Sequence, residues 1–374
     1  MLATAVSVKA HAQETEVGEG DGERASGQRE DEIIVYGRAL KQIGVAITGS
    51  QGTVGYADFE NLPISRTGEL VENVPGVIAT QHSGTGKANQ YFLRGFNLDH
   101  GTDFAGFVDG VPVNMPTHGH GQGYLDFNFL IPETVERIDF RKGPYFADVG
   151  DFSAAGTVVF KTYDALRPFA QATLGEFGYF RATAGGSMKA GAGTILLAAD
   201  ATRSNGPWIL DENLEKYNGL AKYSSGTEED GFSVQLNGYR ARWDSTDQIP
   251  ERAVRSGDVG RFGFVDDDLG GRTTRIGAVA NAAFDGFKIN AFATYYDLRL
   301  TSNFTYFLDD PVNGDEFQQA DRRGVFGGSL TKNWDRSIGT MPVAFKVGGN
   351  IRYDMIDRVG LFRSVAATPI RTVR

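Results

Sequence analysis

From residue 164 onward, apolar and polar residues alternate with a period of two. In FKVGGNIRYDM (345–355), Phe345, Val347, Ile351, Tyr353 and Met355 share one face, and Lys346, Asn350, Arg352 and Asp354 share the other. RIGAVANAAF (275–284) puts Ile276, Ala278, Ala280, Ala282 and Phe284 on one side, and FKINAFATYY (287–296) sets Phe287, Ile289, Ala291, Ala293 and Tyr295 against Lys288, Asn290 and Thr294. Successive side chains of a strand point to opposite faces, so this is the signature of transmembrane β-strands. FSVQLNGYRARW (232–243) changes phase: Phe232, Val234 and Leu236 keep one parity, but Tyr239 and Trp243 take the other. An aromatic end reaching past the bilayer and a β-bulge both account for it. Two long acidic loops (244–270 and 302–320) and tight turns such as Asp285-Gly286 complete the pattern of an antiparallel barrel.

Residues 44–163 read differently. Ser65 or Thr67 can cap a short helix through Glu69–Asn73, ended by Pro75-Gly76. Short strands follow at 77–81, 91–93, 104–108, 111–113, 138–140 and 157–160, with a tight hairpin at Asp109-Gly110 and a helical turn opened by Pro132. This predicts a small mixed α/β domain. Ahead of it, residues 14–32 hold eight acidic and two basic residues and only Val17 as a large apolar side chain, which predicts a disordered arm. The arm ends in DEIIVYGR (31–38), an extended, β-forming segment suited to adding a strand to a partner's sheet edge, or else an ordinary first strand. At the front, Leu2–Val8 before Ala10-His11-Ala12 fits the end of an export signal that lacks its basic leader, against the alternative of a frayed terminus.

The chain's 374 residues carry 37 Lys+Arg, 47 Asp+Glu and no cysteine. The net charge of -10 argues against a nucleic-acid partner, and the missing cysteines exclude disulfides, thiol catalysis and cysteine–zinc sites. The 49 glycines and 40 Phe plus Tyr (26 and 14) favour strands and turns over helices.

Four pieces in order carry a family likeness: DEIIVYGR (31–38), LVENVPGV (70–77), FLRGFNLDHGTDFAGFVDGVPVN (92–114) and VERIDFRKGPYFADVGDFSAAGTVVFKT (135–162). Together they resemble a TonB-dependent outer-membrane receptor. The resemblance implies an α+β plug domain followed by antiparallel transmembrane β-barrel strands. About nine strands are predicted here against the about 22 of a closed, plugged barrel, so the barrel is incomplete in this chain. Open edges in lipid are costly, so the chain is expected to be part of a longer receptor. The expected domains are 1–12, a signal-peptide remnant; 13–43, the arm with the TonB box at 31–38; 44–163, the plug; and 164–374, the N-terminal part of the barrel.

By this resemblance, Asp31, Glu32, Ile33, Ile34, Val35 and Tyr36 bind the TonB energy-transducing complex, and Arg94, Arg137 and Arg141 latch plug to barrel wall, with solvent-facing arginines as the alternative. The implied role is energy-coupled import, in the outer membrane of a Gram-negative cell, of a small-molecule cargo such as an iron-siderophore or other metal complex. Other cargoes are a bare metal ion, cobalamin or a saccharide. A signalling receptor is disfavoured because the arm is short for an extra domain.

Four of the five histidines (His82, His100, His118, His120) fall within the plug. MPTHGHGQGY (115–124) sets His118 and His120 on a Gly-rich loop, where His-x-His on an extended backbone would place both rings on one face, as a metal pair. Asp99, His100, Asp103 and Tyr124 complete the ligand-binding candidates, with ordinary hydrogen-bonded histidines as the alternative. No cofactor and no catalytic residue is predicted: the Gly-rich run lacks a phosphate loop's Lys-Ser/Thr, and no nucleophile elbow is present. A secreted metal-dependent enzyme built on the histidines is the remote alternative.

Overall fold

A computed structural model describes residues 6–11, 48–81 and 84–373. The whole of the expected arm, 13–43 with its TonB box, and His82 lie outside the described residues. The first strand is β1 (Val6–His11). The plug strands are β2 (Gln51–Gly55), β3 (Val77–Thr80), β4 (Gln90–Leu93), β5 (Phe96–Asn97), β6 (Phe104–Val108), β7 (Val111–Pro112), β8 (Val135–Lys142) and β9 (Gly156–Thr162). They form a five-stranded sheet, β2-β8-β9-β6-β7, and a three-stranded one, β3-β4-β5. Asp109 and Gly110 turn β6 into β7 with φ of 48° and 88°, the pair of positive values that a two-residue hairpin matching strand twist requires. The predicted helix is a 3₁₀ helix, Thr67–Asn73, and neither Ser65 nor Thr67 caps it. Instead the Glu69 carboxylate reaches back to accept the N–H of Ser65 (3.0 Å) and of Arg66 (3.2 Å).

The barrel part has ten strands, one more than the pattern suggested: β10 (Phe169–Leu174), β11 (Phe180–Ala190), β12 (Gly193–Ser204), β13 (Leu214–Gly226), β14 (Gly231–Asp244), β15 (Gly270–Phe284), β16 (Phe287–Ser302), β17 (Phe317–Ile338), β18 (Met341–Val365) and β19 (Thr368–Thr372). The last reversal, Ala366-Ala367, takes φ of 48° and 55° without the Gly, Asn or Asp that would mark it in sequence. Each strand pairs antiparallel with the next, and β1 lies antiparallel on β10, giving one open eleven-stranded sheet with β1 and β19 at its edges. The segment read as the end of an export signal therefore lies along the first barrel strand.

One face of this sheet shows Leu236, Ile276, Val347, Ile351 and Tyr353 to the surroundings, the apolar parity read from sequence. The other packs on the plug. The phase change in β14 is resolved there: Tyr239, Ala241 and Trp243 are buried against the plug, and β14 pairs with β13 and β15 without a register shift, so no bulge is needed. The larger of two apolar clusters runs from plug residues Leu70, Tyr91, Phe127 and Phe160 into Trp243, Tyr296 and Leu298 of the wall.

Candidate functional site

Tight turns at 191–192, 285–286 and 339–340 close one end of the sheet, and loops 205–213, 245–269 and 303–316 close the other. Outer-membrane barrels place short turns in the periplasm and long loops outside, so the long-loop end faces outward. Segment 115–124 sits toward that end, near the upper parts of β16 and β17. Its neck is pinned: the Met115 N–H donates to Tyr124 O (3.0 Å) and the Gly123 N–H to Met115 O (2.8 Å). The Asn114 amide locks the neck to its neighbours, donating to the carbonyls of Gly101 (3.0 Å), Phe104 (2.9 Å) and Gly123 (3.0 Å) and accepting from the Gly106 N–H (2.8 Å).

This frame gathers three of the predicted histidines, but not as the pair that spacing suggested. His118 turns away from His120. Its ring stacks on Tyr124 at 4.0 Å, its Nε2 lies 3.2 Å from the Tyr296 hydroxyl, and its Nδ1 accepts the backbone N–H of His120 at 3.1 Å. The reason is that the backbone at 118–120 forms a bend rather than a strand, so the two rings do not share a face. Burial, with His120, Arg323 and His100 adding to it, pushes the His118 pKa well below the usual imidazole value, so His118 is neutral.

The pair that forms is His100 with His120: their Nε2 atoms lie 2.9 Å apart and their rings 4.4 Å apart. His100 is 4% exposed, and its Nδ1 sits 3.0 Å from the Asn89 carbonyl. His120 Nδ1 sits 2.8 Å from Oε1 of Gln319 on the wall. Asp99 stands beside them, Oδ1 3.6 Å from His100 Nε2, half open to solvent. Asp103 does not join: its carboxylate accepts the Thr102 hydroxyl at 3.0 Å. Tyr124 is a wall of the site, its hydroxyl accepting the Ala88 N–H at 2.8 Å, and burial raises its pKa well above the usual phenol value. Asn89, Asn114, Tyr296 and Gln319 carry no motif, and only the fold brings them here.

The expected latch is mostly reversed. Arg94 does not reach the wall: with Gly95 it makes the β4–β5 turn (φ 53° and 83°), and its guanidinium lies 3.4 Å from the Gly49 carbonyl. Arg141 pairs inside the plug with Asp148 at 3.0 Å. Among the described residues, Arg137 alone of the three pairs with a barrel residue, Glu228 in the 227–230 turn, at 3.1 Å. Most of the remaining charged contacts run the other way, from cations on the wall to acceptors on the plug. Arg181 grips Glu133 with two bonds of 2.7 and 2.9 Å, Lys222 donates to the Thr162 carbonyl at 3.1 Å, and Lys346 meets Asp148 at 3.0 Å. Arg352 donates to the Asn114 carbonyl at 2.5 Å, and Arg323, itself paired with Asp321 and Asp354, donates to that of Thr117. These two arginines hold the loop that carries His118 and His120.

The family model for the TonB-dependent Receptor Plug Domain matches residues 45–157. Vitamin B12 transporter BtuB of Vibrio vulnificus (strain YJ016) is 28% identical over 141 residues, which are 37% of this chain and 22% of that protein. The fold is similar to that of the ferric citrate transporter FecA in its unliganded form (TM-score 0.60, 15% identity, 87% of this chain and 50% of that one). It is also similar to that of the copper transporter OprC (TM-score 0.59, 15% identity, 90% of this chain and 50% of that one). The chain thus spans about half the length of the solved chains it matches, and the matched stretch is about a fifth of the curated relative.

Proposed function

We propose that the chain is part of a TonB-dependent receptor of the Gram-negative outer membrane, as its plug-domain match supports, and that the protein imports a scarce metal-containing solute, an iron–siderophore or other metal complex, by energy-coupled movement of its plug. One observation carries the cargo reading. Toward the end where a solute would arrive from outside, two plug imidazoles meet each other, with the Asp99 carboxylate 3.6 Å from one and a wall carboxamide 2.8 Å from the other. These are nitrogen and oxygen donors matched to a metal or its chelate rather than to an apolar solute.

The import step needs work delivered from elsewhere. In this reading Asp31–Tyr36 pair by strand addition with the TonB complex, where main-chain hydrogen bonds supply the grip. A pull on the arm is then transmitted to β2 and, through its antiparallel pairing with β8, to the five-stranded plug sheet. Replacing Ile34 by proline removes an N–H from that pairing. Cells bearing Ile34→Pro should bind metal chelates at the surface as the parent does, yet fail to accumulate them. Normal accumulation in that variant would overturn the coupling assignment.

A further inference from the structure

We propose that the outward face of β12–β18 carries, next to the long loops, a docking surface for the phosphates of a membrane glycolipid, built from a ladder of facing arginines. The strand register makes the ladder. Arg203, Glu215, Arg242, Arg272 and Arg299 lie directly opposite one another on five consecutive strands, β12 to β16. Two residues nearer the tight turns, Arg240, Thr274, Asp297, Arg322 and Arg358 form a second row across β14 to β18. Parity puts both rows on the outside of the sheet. Arg240 and Arg242 share the face of the exposed Leu236, Arg272 that of the exposed Ile276, and Arg299 that of the exposed Tyr295.

Like charges directly opposite one another destabilise a sheet, and here Arg272 faces a cation on each side. The carboxylates nearby are already engaged: Glu215 pairs with Arg242 at 3.0 Å, and Asp297 and Asp357 pair with Arg322 at 2.9 and 3.5 Å. Among the described residues, Arg203, Arg240, Arg272, Arg299 and Arg358 form no ion pair, and Arg272, Arg322 and Arg358 all repel Arg299. Anions from outside the chain relieve that repulsion.

The height of the ladder selects the anion. Tyr217 stands opposite Arg240, and Tyr295 lies two residues below Asp297, both half-exposed on the outward face. Aromatic girdles mark the level where hydrocarbon gives way to headgroups, so the arginines sit at headgroup depth on the outward side. The anion that lipid offers there is phosphate, which a guanidinium fork binds with two parallel hydrogen bonds. From Arg242 to Arg299 is two strand spacings, about 10 Å, so the row can hold two phosphates set apart on one headgroup. Below Arg240 the face sinks into a groove lined by Ala184, Ala199, Gly219 and Gly238, whose small side chains leave room for an acyl chain. The occupant is therefore a glycolipid with two phosphates. This inference rests on the outer-membrane reading and on no cargo.

The test uses the full receptor in mild detergent, titrated with bisphosphoryl lipid A and, separately, with phosphatidylglycerol and inorganic phosphate. Bound lipid is counted by native mass spectrometry and stability is followed by calorimetry. The parent should hold lipid A more tightly than either other probe and release it as salt is raised. The double variant Arg272→Gln, Arg299→Gln should bind lipid A about 30-fold more weakly, as loss of two cations at a headgroup surface does. Without lipid, that variant should melt at or above the parent, because facing cations have been removed; its lost binding is then not misfolding. Arg336→Gln, on β17 beside the tight turn, should bind as the parent does. Equal binding of lipid A by parent and double variant would overturn the ladder. Phosphatidylglycerol or inorganic phosphate held as tightly as lipid A would overturn the glycolipid as occupant. Folding into phosphatidylcholine vesicles separates this inference from the reading beneath it. A receptor that folds into them yet shows no preference for lipid A keeps its membrane placement and loses the site; one that does not fold into them loses both.

Discussion

At the residue scale, Asp126 shows what seating a charged plug in a strand wall costs. It is buried, and its Oδ1 accepts both the N–H and the side-chain amide of Asn128 at 2.8 Å. Arg275 and Lys216 face it from the wall, and Tyr124, Tyr239 and Tyr296 share its small cavity. Burial outweighs these partners and pushes its pKa up to about 6. The unfolded value is near 3.9, so the folded chain holds this proton more tightly than the unfolded one. The contribution to stability is therefore complete below about pH 4 and lost as pH rises through about 6, a swing of about 3 kcal/mol. Asp126→Asn keeps the accepting oxygen and removes the charge. The variant should melt higher than the parent at pH 7.5 and alike at pH 4, followed by calorimetry in detergent; a lower melting point at pH 7.5 would count against the assignment. Sequence could not single out Asp126, because its burial is made by strands about 90 to 170 residues downstream. The histidines were legible as a group for the opposite reason: their rarity. Their pairing was not, since spacing along the chain joined His118 to His120 while tertiary structure joins His100 to His120.

At the element scale, alternation was read correctly where one rule governs a face and misread where two compete. The outward parity meets only lipid, so Phe232, Val234 and Leu236 or Val347, Ile351 and Tyr353 stand out plainly. The inward parity was expected to be polar, and it is so at Gln235, Lys222 and Asn290; it is apolar at Tyr239, Trp243, Leu298 and Leu300, where the plug packs. Trp243 sits where a side chain on Gly86 would have to be, so plug and wall specify each other at that point, and no local pattern contains such a match. The tight hairpin at Asp109-Gly110 was legible because its turn chemistry is local. The 3₁₀ helix was misread because Glu69, three to four residues along, caps it in place of Ser65 or Thr67. The lipid assignment makes its own prediction. Leu236→Arg should cost about 2–4 kcal/mol when the receptor folds into phospholipid vesicles, depending on its depth. A cost near zero by urea titration would mean that this face does not meet lipid.

At the scale of the whole molecule, plug and wall are joined by charge pairs of two kinds, and the difference bears on how a plug is both secure and removable. Arg137–Glu228 lies near the tight-turn end, with its glutamate 40% exposed. Exposed pairs contribute about 0–1 kcal/mol, because water and salt screen them. Arg181–Glu133 is different: both side chains are nearly buried, the contact is bidentate, and Asp200 adds a third bond to the same guanidinium. Losing one member of a buried pair costs about 3–5 kcal/mol, since the other charge stays in a poor medium; here Asp200 remains, so about 2 kcal/mol is expected for Glu133→Gln. That variant should expose the plug to protease markedly faster than the parent, whereas Arg137→Ala should change the cleavage rate little. A double-mutant cycle with Arg181→Ala should show that the two substitutions are not additive, as required of a direct contact. If Arg137→Ala released the plug as readily as Glu133→Gln, the plug would be retained by its tight-turn end rather than by buried wall cations. A pull arriving through the arm would then have to break a different set of contacts before the outward site could open.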